Sequence, residues 1–168
     1  MIEKLLILIL LTWVPLFELR WSIPIGLFSK TIEGIPLIGS MQGFGLDLWL
    51  VFLVCVGANA ILGFLAYLFF DKVIFIFLKV PQLKSFYDKI VIKSQKKVEP
   101  LVEKYGLIGM SIFIAIPLPG SGTWTGALVG NLFNFGYKRF FIANLIGVIL
   151  AGIIVTIVFA GAFSIFGL

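Results

Sequence analysis

Two runs without a charged residue dictate what this chain can become. Leu48 to Phe70 covers 23 positions with no Asp, Glu, Lys or Arg, and Phe140 to Leu168 has none either. About 20 apolar residues in helical form cross a hydrocarbon core about 30 Å thick. Helix is the form such a run must take, because lipid offers backbone groups no partners and a helix satisfies its own. Both runs are therefore expected to be transmembrane helices. Composition agrees, with 61% hydrophobic and 12% charged residues, against roughly 25% charged in a soluble domain. A soluble chain of this length could not hide so much apolar surface.

Two further apolar regions are interrupted. Leu5 to Phe17 is 13 residues long before Glu18-Leu-Arg20 intervenes, and Trp21-Ser-Ile-Pro24-Ile-Gly26 then resumes. Leu107 to Ile116 runs into Pro117-Leu-Pro119-Gly120-Ser121-Gly122-Thr123-Trp124, and Thr125 to Phe135 continues the apolar run. Runs of about 10–14 apolar residues are too short to span and suit re-entrant segments. Unwound backbone at membrane depth survives only where protein or a water-filled cavity covers it. Each region, 5–30 and 107–135, is thus expected to be a helical hairpin that enters the bilayer, breaks, and leaves by the same side. Met1-Ile-Glu3-Lys4 lacks the positive start of a signal peptide, and no small-residue cleavage site follows Phe17.

Charge placement sets an orientation. Residues 71–106 hold eight Lys and four acidic residues, and Lys138 and Arg139 precede the last run. Lys/Arg excess marks the cytoplasmic side, so both places are expected inside and both termini outside, in a multi-pass protein of the cell membrane. Lysines alternating with apolar residues, as in Tyr87-Asp-Lys89-Ile-Val-Ile-Lys93, suggest that 71–106 is amphipathic and lies on an anionic leaflet. Basic charge alone, without a binding motif, does not point to nucleic acid.

The halves share an order of parts. Ile23-Pro24-Ile-Gly26 echoes Ile116-Pro117-Leu-Pro119-Gly120, and Ala58-Asn59-Ala-Ile-Leu-Gly63 echoes Ala143-Asn144-Leu-Ile-Gly147. The expected architecture is a single all-α membrane domain built as an inverted repeat. Residues 1–70 hold hairpin 5–30 and helix 48–70; residues 107–168 hold hairpin 107–135 and helix 140–166. Broken apolar segments at corresponding positions of two halves point to a transport site between them.

Glu18 and Arg20 are the charges flanked closely by apolar sequence, and a charge at bilayer depth persists mainly for function. Arg20 forks onto phosphate or carboxylate oxygens. Glu18, held away from water, is suited to taking up and releasing a proton. An ion pair between the two is the structural alternative. In the second break, proline fixes the backbone and glycine lets it turn. Ser121 or Thr123 is placed to cap the helix that restarts there, whose N-terminus would attract an anion. The expected substrate site is therefore Arg20 with Pro117, Pro119, Gly120, Ser121, Gly122 and Thr123, and Glu18 is the proton site. Gly122, Gly126 and Gly130 recur every four residues and suit close helix packing, while Asn59 and Asn144 suit interhelical hydrogen bonds. Trp13, Trp21, Trp49 and Trp124 suit interfacial anchoring. The lone Cys55 reads as a small buried apolar residue. The chain has no His, and no nucleophile–base pair, metal cluster or nucleotide loop is legible. No enzymatic activity, metal or cofactor is expected.

The segments Phe17-Glu18-Leu-Arg20-Trp-Ser-Ile-Pro24-Ile-Gly26, Lys104-Tyr-Gly106 and Ile114-Ala-Ile-Pro117-Leu-Pro119-Gly120-Ser-Gly122-Thr-Trp124-Thr-Gly126 resemble the small multidrug export protein family, similar in plan to the DedA/VTT (SNARE-associated) membrane proteins. The resemblance implies two re-entrant hairpins facing each other and a link to moving lipids such as polyprenyl phosphates. DedA proteins typically carry arginines in the second hairpin; here 107–135 has none. The expected function is proton-linked translocation of an anionic lipid. Export of small amphiphilic or cationic compounds, and a non-transporting scaffold, are the alternatives. Membrane lipids are the expected partners, and a homodimer would help cover the unwound breaks.

Overall fold

The computed structural model describes residues 1–35, 37–79, 105–117 and 121–166. Most of the 71–106 connection, together with Pro119 and Gly120, lies outside the described residues. The chain runs α1 (Ile2–Trp13), α2 (Glu18–Leu27), β1 (Thr31–Ile35), β2 (Gly39–Gln42), α3 (Leu48–Lys79), α4 (Tyr105–Ala115), α5 (Thr123–Leu132) and α6 (Tyr137–Phe166). It is mostly helical. Two helices, over Leu48–Ile74 and Tyr137–Gly161, are long and apolar enough to cross a membrane.

The long helices start close to where the charge-free runs do. Asp47 immediately precedes α3, and its Oδ1 accepts the Leu50 N–H at 3.1 Å, a side-chain cap of the kind that fixes helix starts. The helix continues past Phe70, through Asp71 and Lys72. Apolar side chains such as Trp49, Leu53, Ile61 and Ile157 face outward, which in water would be a costly patch. The inner faces pack tightly. Gly63 of α3 lies under the Asn144 amide of α6, where any Cβ would overlap it. Phe140 stacks on Tyr67 with ring centroids 4.7 Å apart.

One departure from an all-α chain is the antiparallel hairpin β1–β2. It pairs Thr31 with Gln42, Ile32 with Met41 and Glu33 with Ser40, and a bulge falls between Glu33 and Ile35. Gly34 supplies the positive φ (75°) that the bulge needs, and Thr31, Ile32 and Ile35 are β-branched residues that favour strand. The segment that follows β2 finishes α2. Phe44 and Leu46 N–H donate to the carbonyls of Ile25 and Gly26 at 2.8 and 2.9 Å, groups a helix end leaves without partners.

α3 lies at the centre, packed against α1, α2, α5 and α6. α1, α2 and α5 pack on it, and α4 lies against α5 and α6 through Ile114, so the two breaks can meet. α1, at 12 residues, is about 18 Å long by helical rise, well short of the 27 residues of the α3 span.

Candidate functional site

The first break forms where α1 stops at Trp13. Phe17 and Glu18 N–H both donate to the Val14 carbonyl, at 3.0 and 3.2 Å, closing a tight turn around Pro15. Glu18 then opens α2 with φ +43°. A left-handed conformation at a residue with a Cβ costs about 1–3 kcal/mol and persists where surrounding structure holds it. Glu18 is 6% exposed, and what holds it is the other break.

Its carboxylate reaches across to the start of α5. Oε2 accepts the Thr123 N–H at 3.4 Å and Oε1 the Trp124 N–H at 3.3 Å. A carboxylate at a helix N-terminus satisfies orphan donors and opposes the positive end of the dipole. Gly122 makes the approach possible. Its φ is +114°, and a Cβ there would overlap Glu18 Oε2. The expected caps take other roles. Ser121 Oγ donates to the Ile116 carbonyl at 2.6 Å, bridging the break. Thr123 occupies the first helical position, fully buried, with its hydroxyl unpartnered by protein. The α5 N-terminus is thus capped by a side chain 105 positions earlier, a partnership that local sequence cannot reveal.

Arg20 also crosses between the breaks. Its Nη2 donates to the Ser121 carbonyl at 2.7 Å, with the Ser121 hydroxyl oxygen at 3.5 Å. Glu18 and Arg20 feel each other electrostatically, yet the hydrogen bonds of both charged groups go to residues 121–124. A third tie is the Trp124 indole N–H, donated to the carbonyl of Trp13 at 3.1 Å. The breaks form one junction.

Beside the junction lies a cavity of about 730 Å³. Glu18, Arg20, Pro117 and Ser121 line it from the junction. Trp21, Trp124 and the α6 residues Ile154, Val155, Val158 and Phe159 make apolar walls. This is the layout of a ligand site, a mostly apolar hollow with a few converging polar groups. The structure brings together Glu18, Arg20, Pro117, Ser121, Gly122 and Thr123 of the expected site; Pro119 and Gly120 fall outside the described residues. Sequence reasoning missed the α6 wall, because Ile154 to Phe159 are indistinguishable from any lipid-facing run.

The remaining polar residues separate. Asn144 donates to the Ala60 carbonyl at 3.2 Å, an interhelical bond between α6 and α3. Asn131, unremarked in the sequence, donates to the Tyr67 and Ala127 carbonyls at 2.9 and 3.0 Å. Asn59 is buried, with its Oδ1 unpartnered by protein. Two of the tryptophans are tied inward, since the Trp13 indole donates to the Ala58 carbonyl at 3.1 Å. Trp49, 70% exposed at the start of α3, fits an anchor best. Gly126 and Gly130 seat Ile114 and Phe140, in keeping with packing. Cys55 is buried beside the Ser22 and Thr12 hydroxyls.

No curated protein and no solved structure is significantly similar to this chain. Residues 18–154, from the carboxylate of the first break to the α6 wall, match the sequence profile described as "Putative small multi-drug export protein". Since the match covers most of the chain, from Glu18 through the second break, the protein belongs to that family.

Proposed function

We propose that the cavity is the binding site of a proton-linked translocase for an anionic amphiphile, of which a polyprenyl phosphate is the type. The observation that carries this reading is a cation and a carboxylate lining one largely apolar hollow. Arg20 offers a planar, always-charged donor set to a phosphate or carboxylate head. The α6 wall gives an isoprenoid or acyl tail surroundings as apolar as the bilayer. Glu18 is the proton carrier, releasing and retaking the α5 N-terminus as its charge changes.

In this reading α1–α2 and α4–α5 are hairpins entering from opposite faces, the plan of an inverted repeat shared with DedA/VTT proteins. The shortness of all four helices supports it, since none approaches the roughly 20 residues of a full span. The Lys/Arg excess of 71–106 and Lys138-Arg139 supports a cytoplasmic side for those segments.

The family description favours a second reading, export of small cationic amphiphiles with Glu18 as counter-charge. Proteoliposomes decide between them. The anionic reading expects a fluorescent alkyl phosphate to cross, and Arg20→Ala to lose at least about tenfold in rate with the protein still folded. Transport of a cationic amphiphile that survives Arg20→Ala, with no movement of the phosphate, would select the second.

A further inference from the structure

Glu18 stands in a partition between two spaces. On one side is the large cavity; on the other is a chamber of about 10 Å³, roughly the volume that one water needs. Glu18, Arg20, Pro117 and Val155 line both. The chamber also takes Asn59 from α3 and Thr123 from α5, with Ile114 and the α6 residues Val148, Ala151 and Val155 closing it. Asn59 is 2% exposed and Thr123 fully buried. No protein group reaches Asn59 Oδ1 or Thr123 Oγ1. Two such oxygens beside one small chamber are unusual, because buried polar atoms nearly always have a partner.

We propose that this chamber binds a single water molecule that serves as the proton partner of Glu18, with Asn59 and Thr123 as its positioning residues. The donor and acceptor inventory closes around one water. It accepts from the Thr123 hydroxyl and donates to Asn59 Oδ1 and to the Glu18 carboxylate, three bonds being the usual number for a buried water. A cation fits less well, because Arg20 already brings positive charge to the same wall. Arg20 is also the charged group that acts on Glu18 among the described residues. The chamber residues from α3, α4, α5 and α6, namely Asn59, Ile114, Thr123, Val148, Ala151 and Val155, are not titratable. The water is therefore the one partner in the chamber that can adjust to a change of charge at Glu18 without a second ionisable residue. The arrangement gives Glu18 a hydrogen-bond partner in the chamber that can turn with its charge, donating to the carboxylate and accepting from the carboxylic acid.

The functional role rests on the transporter reading; the occupancy does not. In nanodiscs, a high-resolution structure of the full chain should show one solvent density about 2.7–3.2 Å from all three oxygens, absent in Thr123→Val. No density there would overturn the proposal. So would shorter contacts accompanied by a saturable rise in Tm with sodium, against choline, that Thr123→Val abolishes, because the occupant would then be a metal ion. In proteoliposomes, Asn59→Leu should slow proton-driven transport at least about tenfold and flatten its pH profile. Binding of an alkyl phosphate should stay within about twofold and Tm close to wild type. A wild-type pH profile in folded Asn59→Leu, and equally in folded Thr123→Val, would show that the water has no part in the titration of Glu18 and overturn its functional role. A wild type that moves nothing would count against the transporter reading and leave the density result to stand alone.

Discussion

The two breaks differ in what they contribute. The first, between α1 and α2, brings side-chain charge: Glu18 and Arg20, the former on a strained left-handed backbone. The second, between α4 and α5, brings backbone: the Ser121 carbonyl and the N–H groups of Thr123 and Trp124. Neither is self-sufficient. A carboxylate buried without donors would carry a large desolvation cost, and a buried helix start without acceptors leaves orphan N–H groups. Each break is thus the other's solvent. A site assembled this way can respond to charge, because a change at Glu18 alters the cap of α5 directly.

Several variants would break or sharpen that contrast. The largest effect is expected from Gly122→Ala, which puts a Cβ onto Glu18 Oε2 and forces a φ of +114° on alanine. A loss of about 3 kcal/mol is expected from strain and overpacking together, read as a collapse of Tm in detergent. A well-folded Gly122→Ala would mean that the carboxylate and the α5 start are not in contact.

Glu18→Gln isolates charge from shape. It should keep the fold, with about 1 kcal/mol lost from the N-terminal interaction, while proton-driven transport falls about 100-fold. Severe unfolding instead would favour a structural role for the junction. Next comes Arg20→Lys, which retains a positive charge but not the planar fork; partial rescue relative to Arg20→Ala, measured as alkyl phosphate binding, is expected. The smallest change should come from Trp124→Phe. It keeps a ring in the cavity wall and removes only the bond to the Trp13 carbonyl, costing about 1 kcal/mol and leaving the pH profile intact.

The same contrast explains what the sequence could reveal. Glu18 and Arg20 stand out because charge in an apolar run is rare and expensive, and the breaks stand out because proline and glycine punctuate helix. The long helices follow from the absence of charge. The donors that receive Glu18 are backbone groups, present at every residue, so only the fold identifies Thr123 and Trp124 as the ones used. The same holds for Asn131, whose partner Tyr67 is 64 positions away. The β1–β2 hairpin was concealed differently. Its strands are short, and the Gly34 bulge interrupts the alternation that would mark them.

The most direct test of a junction that couples proton to cargo is gradient-driven movement of a fluorescent polyprenyl-phosphate-like lipid in proteoliposomes, wild type against Glu18→Gln. The account predicts movement that follows the pH gradient in the wild type, and in Glu18→Gln a slow residual movement indifferent to it. Equal, gradient-driven rates in both proteins would contradict it.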